Sequence, residues 1–330
     1  MAERRPLVVL ESTKAPDGTT RYIDQVVTFA DPEIEFRYLS LRNLFRRADV
    51  FHIHWPEVLV RGTNRAETAV RSWVVRAALR LMRWRGTAIV RTLHNLTPHE
   101  PGTALEGRLL TRLDDLTDLF VTINPVTKAP HGPTVQIPHG HYRDRFASLT
   151  HRSPTPGRLT YAGMIRPYKG VEQLLSAFGS IEDPAASLHL VGRPTDALRE
   201  AIENAAAGDS RIYASFGFVP DAELVDEITS ASLVVLPYEE MHNSGMLLVA
   251  LSLSRPVLVP DTPTTRALST EVGPGWVHRF TGVLDSEILE QALTASSIHP
   301  TRPPQLEDRD WTVVAARYGA AFRQASGWSV

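Results

Sequence analysis

Residues 159–171 read Leu159-Thr-Tyr-Ala-Gly163-Met-Ile-Arg166-Pro-Tyr-Lys169-Gly170-Val171, and an amphipathic helical pattern continues to about Ser180. A short apolar run, Leu159 to Ala162, ends at a glycine. A loop carrying two cations follows, and a second glycine opens the helix. Strand, glycine-framed loop and helix make one half of a βαβ unit, whose crossover lays the helix on a parallel sheet. The same pattern recurs on both sides. Upstream lie the runs Leu7 to Leu10, Val50 to His54, Ala88 to Thr92, Leu119 to Ile123 and Val135 to Pro138. Downstream lie Leu188 to Val191, Ile212 to Phe216, Leu233 to Pro237 and Val257 to Pro260. Strands alternating with helices of this length predict an α/β protein with right-handed crossovers and two successive parallel sheets.

The chain has 330 residues, about twice a usual domain, so two domains are expected. The proline-rich, polar stretch Ser153-Pro-Thr-Pro-Gly157 sets the boundary, giving domains 1–153 and 154–309. A second proline-rich segment, His299 to Pro304, precedes an amphipathic helix within 310–325 that is expected to pack back on the first domain. An apolar fraction of 43% and a charged fraction of 22% describe a folded, core-bearing chain rather than a disordered one. No run approaches the ~18 apolar residues of a spanning helix, and the start before Leu7 is too short for a secretion signal. With no cysteine, disulfides, thiolate catalysis and Cys-based zinc sites are excluded, and a cytoplasmic location is expected.

The net charge of −2 hides an asymmetry: residues 1–153 hold 22 Lys+Arg against 16 Asp+Glu (+6), and residues 154–330 hold 13 against 21 (−8). A charge of +6 over that length, without an aromatic-basic module, does not point to nucleic acid.

In open parallel sheets ligands bind beyond the carboxyl ends of strands, so the residues that follow the apolar runs are the candidates for chemistry. Arg166 and Lys169 sit on such a loop. Arg can fork two oxygens, Lys adds a point charge and the helix start adds N–H groups, together a site for a diphosphate. Lys169 is one of only three lysines, beside Lys14 and Lys128. After Leu233-Val-Val-Leu-Pro237 comes Tyr238-Glu-Glu-Met-His242-Asn243-Ser244-Gly245-Met246, which opens an apolar helix: good N-caps followed by a glycine read as a second anion-accepting helix start. In the first domain, Phe51-His52-Ile-His54-Trp55-Pro-Glu57 and Arg91-Thr-Leu-His94-Asn95-Leu-Thr-Pro-His99-Glu100 end strands with clustered His and Glu, and Pro138-His139-Gly140-His141 ends another. His-x-His raises a metal site, but no third ligand stands at fixed spacing, so these segments read as polar, sugar-facing loops, with buried histidines as the structural alternative.

These motifs, in this order, resemble the GT-B glycosyltransferases, especially family 4 and neighbouring bacterial mannosyltransferase-like enzymes of exopolysaccharide and glycolipid assembly, most closely over residues 154–280. Residues 161–171 are similar to the family's donor-diphosphate motif. Gly217-Phe-Val219-Pro-Asp-Ala-Glu223-Leu resembles the segment that holds the nucleotide base through backbone groups, and Ile137-Pro138-His139-Gly140 the Pro-x-Gly turn leading to the interdomain region. The family usually has two glutamates separated by seven residues; Met241 and Val249 stand in their places here, and the glycine-rich loop after the first strand is reduced to Pro16-Asp17-Gly18-Thr-Thr.

The resemblance implies two Rossmann-like domains whose parallel sheets face across a cleft. It also implies transfer of a sugar from a UDP- or GDP-sugar to a hydroxyl of a glycan, glycolipid or small-molecule acceptor. The donor contacts so implied are Gly163, Arg166, Lys169, Gly217, Val219, His242, Asn243, Ser244, Gly245 and Met246. Glu57, His94, Asn95 and His139 are placed on the acceptor side. His94, Glu100, Arg166 and Lys169 are the catalytic candidates, with the two cations neutralising the leaving diphosphate so that no metal or other cofactor is required. Inversion at the anomeric carbon would need a base, Glu100 or Glu57; retention would not. A sugar-nucleotide epimerase or phosphorylase of the same architecture, or a non-catalytic nucleotide-sugar-binding protein, are the alternatives, because fold does not fix function. A phosphorylase would want a second anion site, which the sequence does not offer. A nicotinamide dehydrogenase lacks its G-x-G-x-x-G after the first strand.

Residues 64–85 read as one helix on which Arg65, Arg76, Arg80 and Arg83 fall within about 60° of each other at 100° per residue, with Trp73 and Trp84 beside that stripe. This predicts peripheral contact with the anionic inner face of a membrane, against the plainer reading of a solvated arginine face with half-buried tryptophans.

Overall fold

The computed structural model describes residues 5–16, 21–94, 103–239, 241, 243–298 and 300–328. Its first sheet comprises β1 (Leu7–Glu11), β2 (Ile34–Tyr38), β3 (Val50–Ile53), β4 (Ala88–Leu93), β5 (Leu119–Thr122) and β6 (Thr134–Gln136), in the order β2-β1-β3-β4-β5-β6. The second comprises β7 (Arg158–Ala162), β8 (Ser187–Gly192), β9 (Ile212–Phe216), β10 (Leu233–Val235), β11 (Val257–Pro260) and β12 (Val277–Phe280), in the order β12-β11-β10-β7-β8-β9. Every pairing is parallel. The strand order reverses between β1 and β3 in one sheet and between β7 and β10 in the other, and at such a switch point the two loops diverge to opposite faces and leave a crevice.

Two edge strands were not anticipated. β2 alternates Glu35 and Arg37 with apolar residues, and β12 carries His278 and Arg279. Only one neighbour and one covered face are available at an edge, so these strands lack the continuous apolar run that marks their interior counterparts.

The chain divides into two compact units, Met1–Gly140 with Asp308–Val330, and His141–Glu307. The division falls ahead of the proline-rich stretch at 153. The backbone N–H of Tyr142 donates to Ser252 Oγ at 2.9 Å, and Phe146 is fully buried in the second unit's core. The closing helix Trp311–Ser326 belongs to the first unit, where Trp311, Tyr318 and Phe322 pack against the β-sheet side chains Val90 and Val121. Gly140 makes this possible, since a Cβ there would lie 2.4 Å from the Trp311 indole.

Side chains alternate across the first sheet. Val9, Val90 and Val121 meet the closing helix, whereas Val8, Leu10, Phe51, Ile53 and Ile89 meet Leu79 and Met82 of the helix Arg65–Trp84. The second unit has one continuous apolar core around the helix Gly245–Ser252, which is apolar from Met246 to Leu251.

Candidate functional site

In the second unit the chain leaves β7 through Gly163, forms a short 3-10 turn at Pro167–Lys169 and enters the helix Val171–Gly179. Gly170 has a φ of +67°, and a Cβ there would lie 2.1 Å from the Pro237 carbonyl oxygen. Only glycine lets this turn press against the end of β10. The Glu239 N–H then donates to the Tyr168 carbonyl at 3.1 Å, so the loops after β7 and β10, the two switch-point strands, are clasped together.

Arg166 sits over this junction, its Nη1 donating to the carbonyls of Ile165 (2.8 Å) and Arg193 (2.9 Å). The Lys169 ammonium lies 3.5 Å from the centroid of the Tyr238 ring, and burial lowers it to about 8. It is protonated at neutral pH, partly stripped of water and held by an aromatic face rather than a carboxylate. Such a cation is prepared for an incoming anion. Ser244 caps the helix Gly245–Ser252, its Oγ accepting from the Leu247 N–H at 3.3 Å, and its side chain also bonds the Tyr238 hydroxyl. Met246 reaches within 3.6 Å of where a Cβ of Gly163 would stand.

The structure therefore brings Gly163, Arg166, Lys169, Ser244, Gly245 and Met246 to one place, with Asn243 half-buried beside the cap. Gly217 leads away from β9, its N–H donating to the Gly192 carbonyl at 3.0 Å, and Val219 packs on the core from the same loop. His242 lies outside the described residues. Met241 and Val249, at the positions of the family's glutamates, are both buried in the core, Val249 at 2% exposure, so neither side chain is available to a ligand.

The first unit's switch point holds a different kind of site. The β1–β3 register places Glu11 beside His52. Glu11 is fully buried, and its two carboxylate oxygens accept from His52 Nδ1 at 3.0 Å and from His54 Nε2 at 3.1 Å. His54 Nδ1 is 2.9 Å from His94 Nε2, and His52 Nε2 is 2.8 Å from Thr92 Oγ1. Thr92 in turn meets the Tyr318 hydroxyl at 3.0 Å, and Tyr318 meets Tyr22 at 2.6 Å. Trp55 stacks on His94 with 4.5 Å between ring centroids, and Tyr22 stands edge-on to both His94 and His139.

Burial alone would raise the Glu11 carboxyl, but His52 and His54 override it and bring it to about 2. Burial, with His52 nearby, lowers His54 to about 4, and burial with the neighbouring histidines takes His94 well below the usual imidazole range. His139 falls to about 4 through burial, while its Nδ1–H donates to the Gly140 carbonyl. The expectation of sugar-facing loops is thus corrected for His52 and His54, which Glu11 draws into the interior. Glu11 was missed: the third acid–base group stands at the end of β1, distant in sequence. Ligand atoms of Glu11, His52 and His54 lie within 4.8 Å of one another, near enough to converge on a cation, yet each is engaged in the hydrogen bonds above. Glu57 stands half-buried in the first turn of the helix Pro56–Val60, within electrostatic range of Arg91. Asn95 and Glu100 lie outside the described residues.

The helix Arg65–Trp84 starts at Asn64, whose side chain accepts from the Glu67 N–H at 2.9 Å. Trp73 and Trp84 are 70% and 82% exposed, so the reading of half-buried tryptophans does not hold. Arg65 and Arg80 are exposed, Arg76 is half-buried, and Arg83 pairs with Asp118 at 2.8 Å. No described helix is long and apolar enough to cross a membrane.

Residues 156–292 match the family described as Glycosyl transferases group 1. The chain is 41% identical over 325 residues, 97% of its length and 93% of the relative's, to a GDP-mannose:glycolipid 4-beta-D-mannosyltransferase of Xanthomonas campestris pv. campestris. Among solved structures it resembles a sucrose-phosphate synthase from Thermosynechococcus elongatus (TM-score 0.66, 16% identity, 99% and 100% of the two chains). It also resembles HepE of Anabaena in complex with UDP (TM-score 0.59, 14% identity, 97% of each chain).

Proposed function

The chain belongs to the glycosyl transferases group 1 family, has the GT-B fold and is a glycosyltransferase, and on that premise we propose that it moves mannose from GDP-mannose to a hydroxyl of a glycolipid. The identity to a mannosyltransferase over nearly the whole chain supports this donor and acceptor class, and favours transfer over an epimerase, a phosphorylase or a silent binding protein. The observation that carries the assignment of roles is the clasped pair of loops at the β7/β10 switch point. There Arg166 and Lys169 stand beside a capped helix start, an arrangement suited to a diphosphate without a metal ion.

In this reading the second unit holds the donor through Gly163, Arg166, Lys169, Gly217, Val219 and the Asn243–Met246 segment. The two cations take up the charge that develops on the departing GDP. The first unit holds the acceptor around His94 and His139, with Glu57 at its margin, and Asn95 and Glu100, outside the described residues, are kept as acceptor-side candidates. A β-mannoside formed from an α-linked nucleotide mannose is an inversion, so the acceptor hydroxyl must surrender a proton to a base, for which Glu57 and Glu100 are the candidates. Exposed Trp73 and Trp84 with Arg65 and Arg80 on one helix support a peripheral seat on an anionic membrane, where a lipid-linked acceptor would be met.

Radiolabelled GDP-mannose incubated with the enzyme and a bacterial lipid extract in EDTA tests the proposal. Label is expected in the organic phase, and none from UDP-glucose. Transfer from the UDP-sugar alone, or only with added Mn²⁺, would overturn it.

A further inference from the structure

The loops after β7 and β10 are clasped at two points that flank one residue on each. Gly170 presses on the Pro237 carbonyl, and the Tyr168 carbonyl accepts from the Glu239 N–H at 3.1 Å. Lys169 and Tyr238 stand between those points, so the clasp brings their side chains together. The ammonium lies 3.5 Å from the centroid of the Tyr238 ring and 5.8 Å from that of Tyr168. The Lys169 N–H donates to the Arg166 carbonyl at 2.9 Å, which fixes the base of the side chain in its 3-10 turn. Tyr238 is itself held. It is 4% exposed, it packs in the second unit's core, and its hydroxyl bonds the side chains of Ser244 and Tyr161. The Tyr161 hydroxyl donates to the Met164 carbonyl at 2.8 Å, so the far end of the Tyr238 ring is tied both to the helix start at Ser244 and to the loop after β7.

We infer that Tyr238 is a positioning residue for the donor: the face of its ring seats the Lys169 ammonium where the diphosphate binds, and its hydroxyl fixes that face. This rests on reading Lys169 as a ligand of the donor diphosphate. Lysine carries its charge on a flexible four-carbon stem, and ordering such a stem on binding costs side-chain entropy. A stem already seated on a ring loses little more when the ligand arrives, so the site is preorganised. The seat also governs charge. A carboxylate in its place would neutralise the ammonium and repel the incoming diphosphate, whereas the ring attracts the cation through its quadrupole and adds no net charge. Arg166 reaches the same end by another route, its guanidinium held by the neutral carbonyls of Ile165 and Arg193.

With only three lysines in the chain, the seat can be observed directly. In the full chain labelled with ¹³C-lysine, only Lys14, Lys128 and Lys169 contribute Cε–Hε signals. The one lost in Lys169→Met is expected upfield of the other two, moved by the ring current, and Tyr238→Leu is expected to return it to their position. A Lys169 signal without that upfield shift overturns the inference, and this result needs no ligand. Calorimetric titration with GDP in EDTA reads the consequence. Lys169→Met is expected to raise the Kd about 30-fold, the loss of a charge-assisted contact, and Tyr238→Leu about tenfold, the loss of the aromatic seat. Tyr238→Phe keeps the face and should stay within about threefold of wild type. In a Lys169→Met background Tyr238→Leu should cost less than about twofold, because the two residues act as one unit. An equal loss in both backgrounds would make Tyr238 merely a member of the core and overturn the inference. If Lys169→Met binds GDP as tightly as wild type, the diphosphate reading fails and the positioning role with it, while the ring-current shift still reports where the ammonium sits.

Discussion

The two units share an architecture and use it in opposite ways. Each is a six-stranded parallel sheet with a switch point. At β1/β3 the first unit buries a network of side chains, Glu11, His52, His54 and Thr92, tied to Tyr318 and Tyr22 from two helices. At β7/β10 the second unit keeps an apolar core to the ends of its strands and places its chemistry above, on glycine turns, a helix start and two cations. A buried network has fixed geometry and proton positions, which suits the holding of an acceptor in one orientation. Backbone N–H groups and half-buried cations offer charge without occupying the core, which suits a diphosphate whose charge grows as the bond breaks. One consequence is that the two sites should fail differently when altered.

The largest effect is expected above the second sheet. Lys169→Ala and Arg166→Ala should each lower kcat by about 10²–10³-fold, the usual loss for a donor aimed at developing charge, with the melting temperature nearly unchanged because neither side chain belongs to the core. Steady-state kinetics alongside calorimetry check this; a full drop in stability would erase the contrast between the units. In the first unit the losses should be coupled. Glu11→Leu strands the N–H groups of His52 and His54 in the interior, and should cost about 3 kcal/mol of stability together with activity. Urea denaturation reads the first quantity, and an unchanged midpoint would mean that the network is not structurally committed.

The contrast was only half legible in the sequence. Both sheets, their helices and the loop from Gly163 to Gly170 follow from apolar runs that end in glycine, because a parallel strand covered on both faces needs a continuous apolar stretch. Glu11 stayed hidden because it follows the run Leu7 to Leu10 as any solvent-facing acid might, and its partners are 41 and 43 residues away. His52 and His54 alternate onto one face of β3, but only the register of β1 against β3 reveals what that face meets. The exposure of Trp73 and Trp84 was likewise undecided, since helical periodicity fixes their angular position but not the direction of the core.

Smaller effects sharpen the comparison further. His54 is lowered from 6.5 to about 4, so below pH 6.5 the unfolded chain binds a proton that the folded chain refuses. Stability is therefore complete above 6.5, falls as the pH approaches 4, and falls again between 4.5 and 2 as Glu11 is protonated. On the order of 2 kcal/mol should be lost by pH 5. His189 in the second unit is lowered to a similar value, but it is half-exposed, and solvent screens its share. Hydrogen exchange at pH 7.5 and 5.0 should show β3 and β4 weakening more than β7 and β10. Equal weakening would remove the distinction.

The smallest effect concerns the helix Arg65–Trp84. Arg76→Glu with Arg80→Glu should weaken sedimentation with anionic vesicles at low salt, each near-surface cation being worth about 1 kcal/mol. Trp73→Ala with Trp84→Ala should weaken it with anionic and neutral vesicles alike. Equal recovery of wild type on both vesicle types would leave this helix as ordinary surface.

The division of labour between the units is tested most directly by hydrogen exchange of the whole chain with and without saturating GDP, in EDTA. The backbone amides of residues 163–171, 217–219 and 243–247 are expected to gain protection, with segments 52–55 and 92–94 of the first unit unchanged. Protection concentrated on 52–55 and 92–94, or protection that appears only when a divalent metal is restored, would contradict the assignment of the donor diphosphate to Arg166 and Lys169.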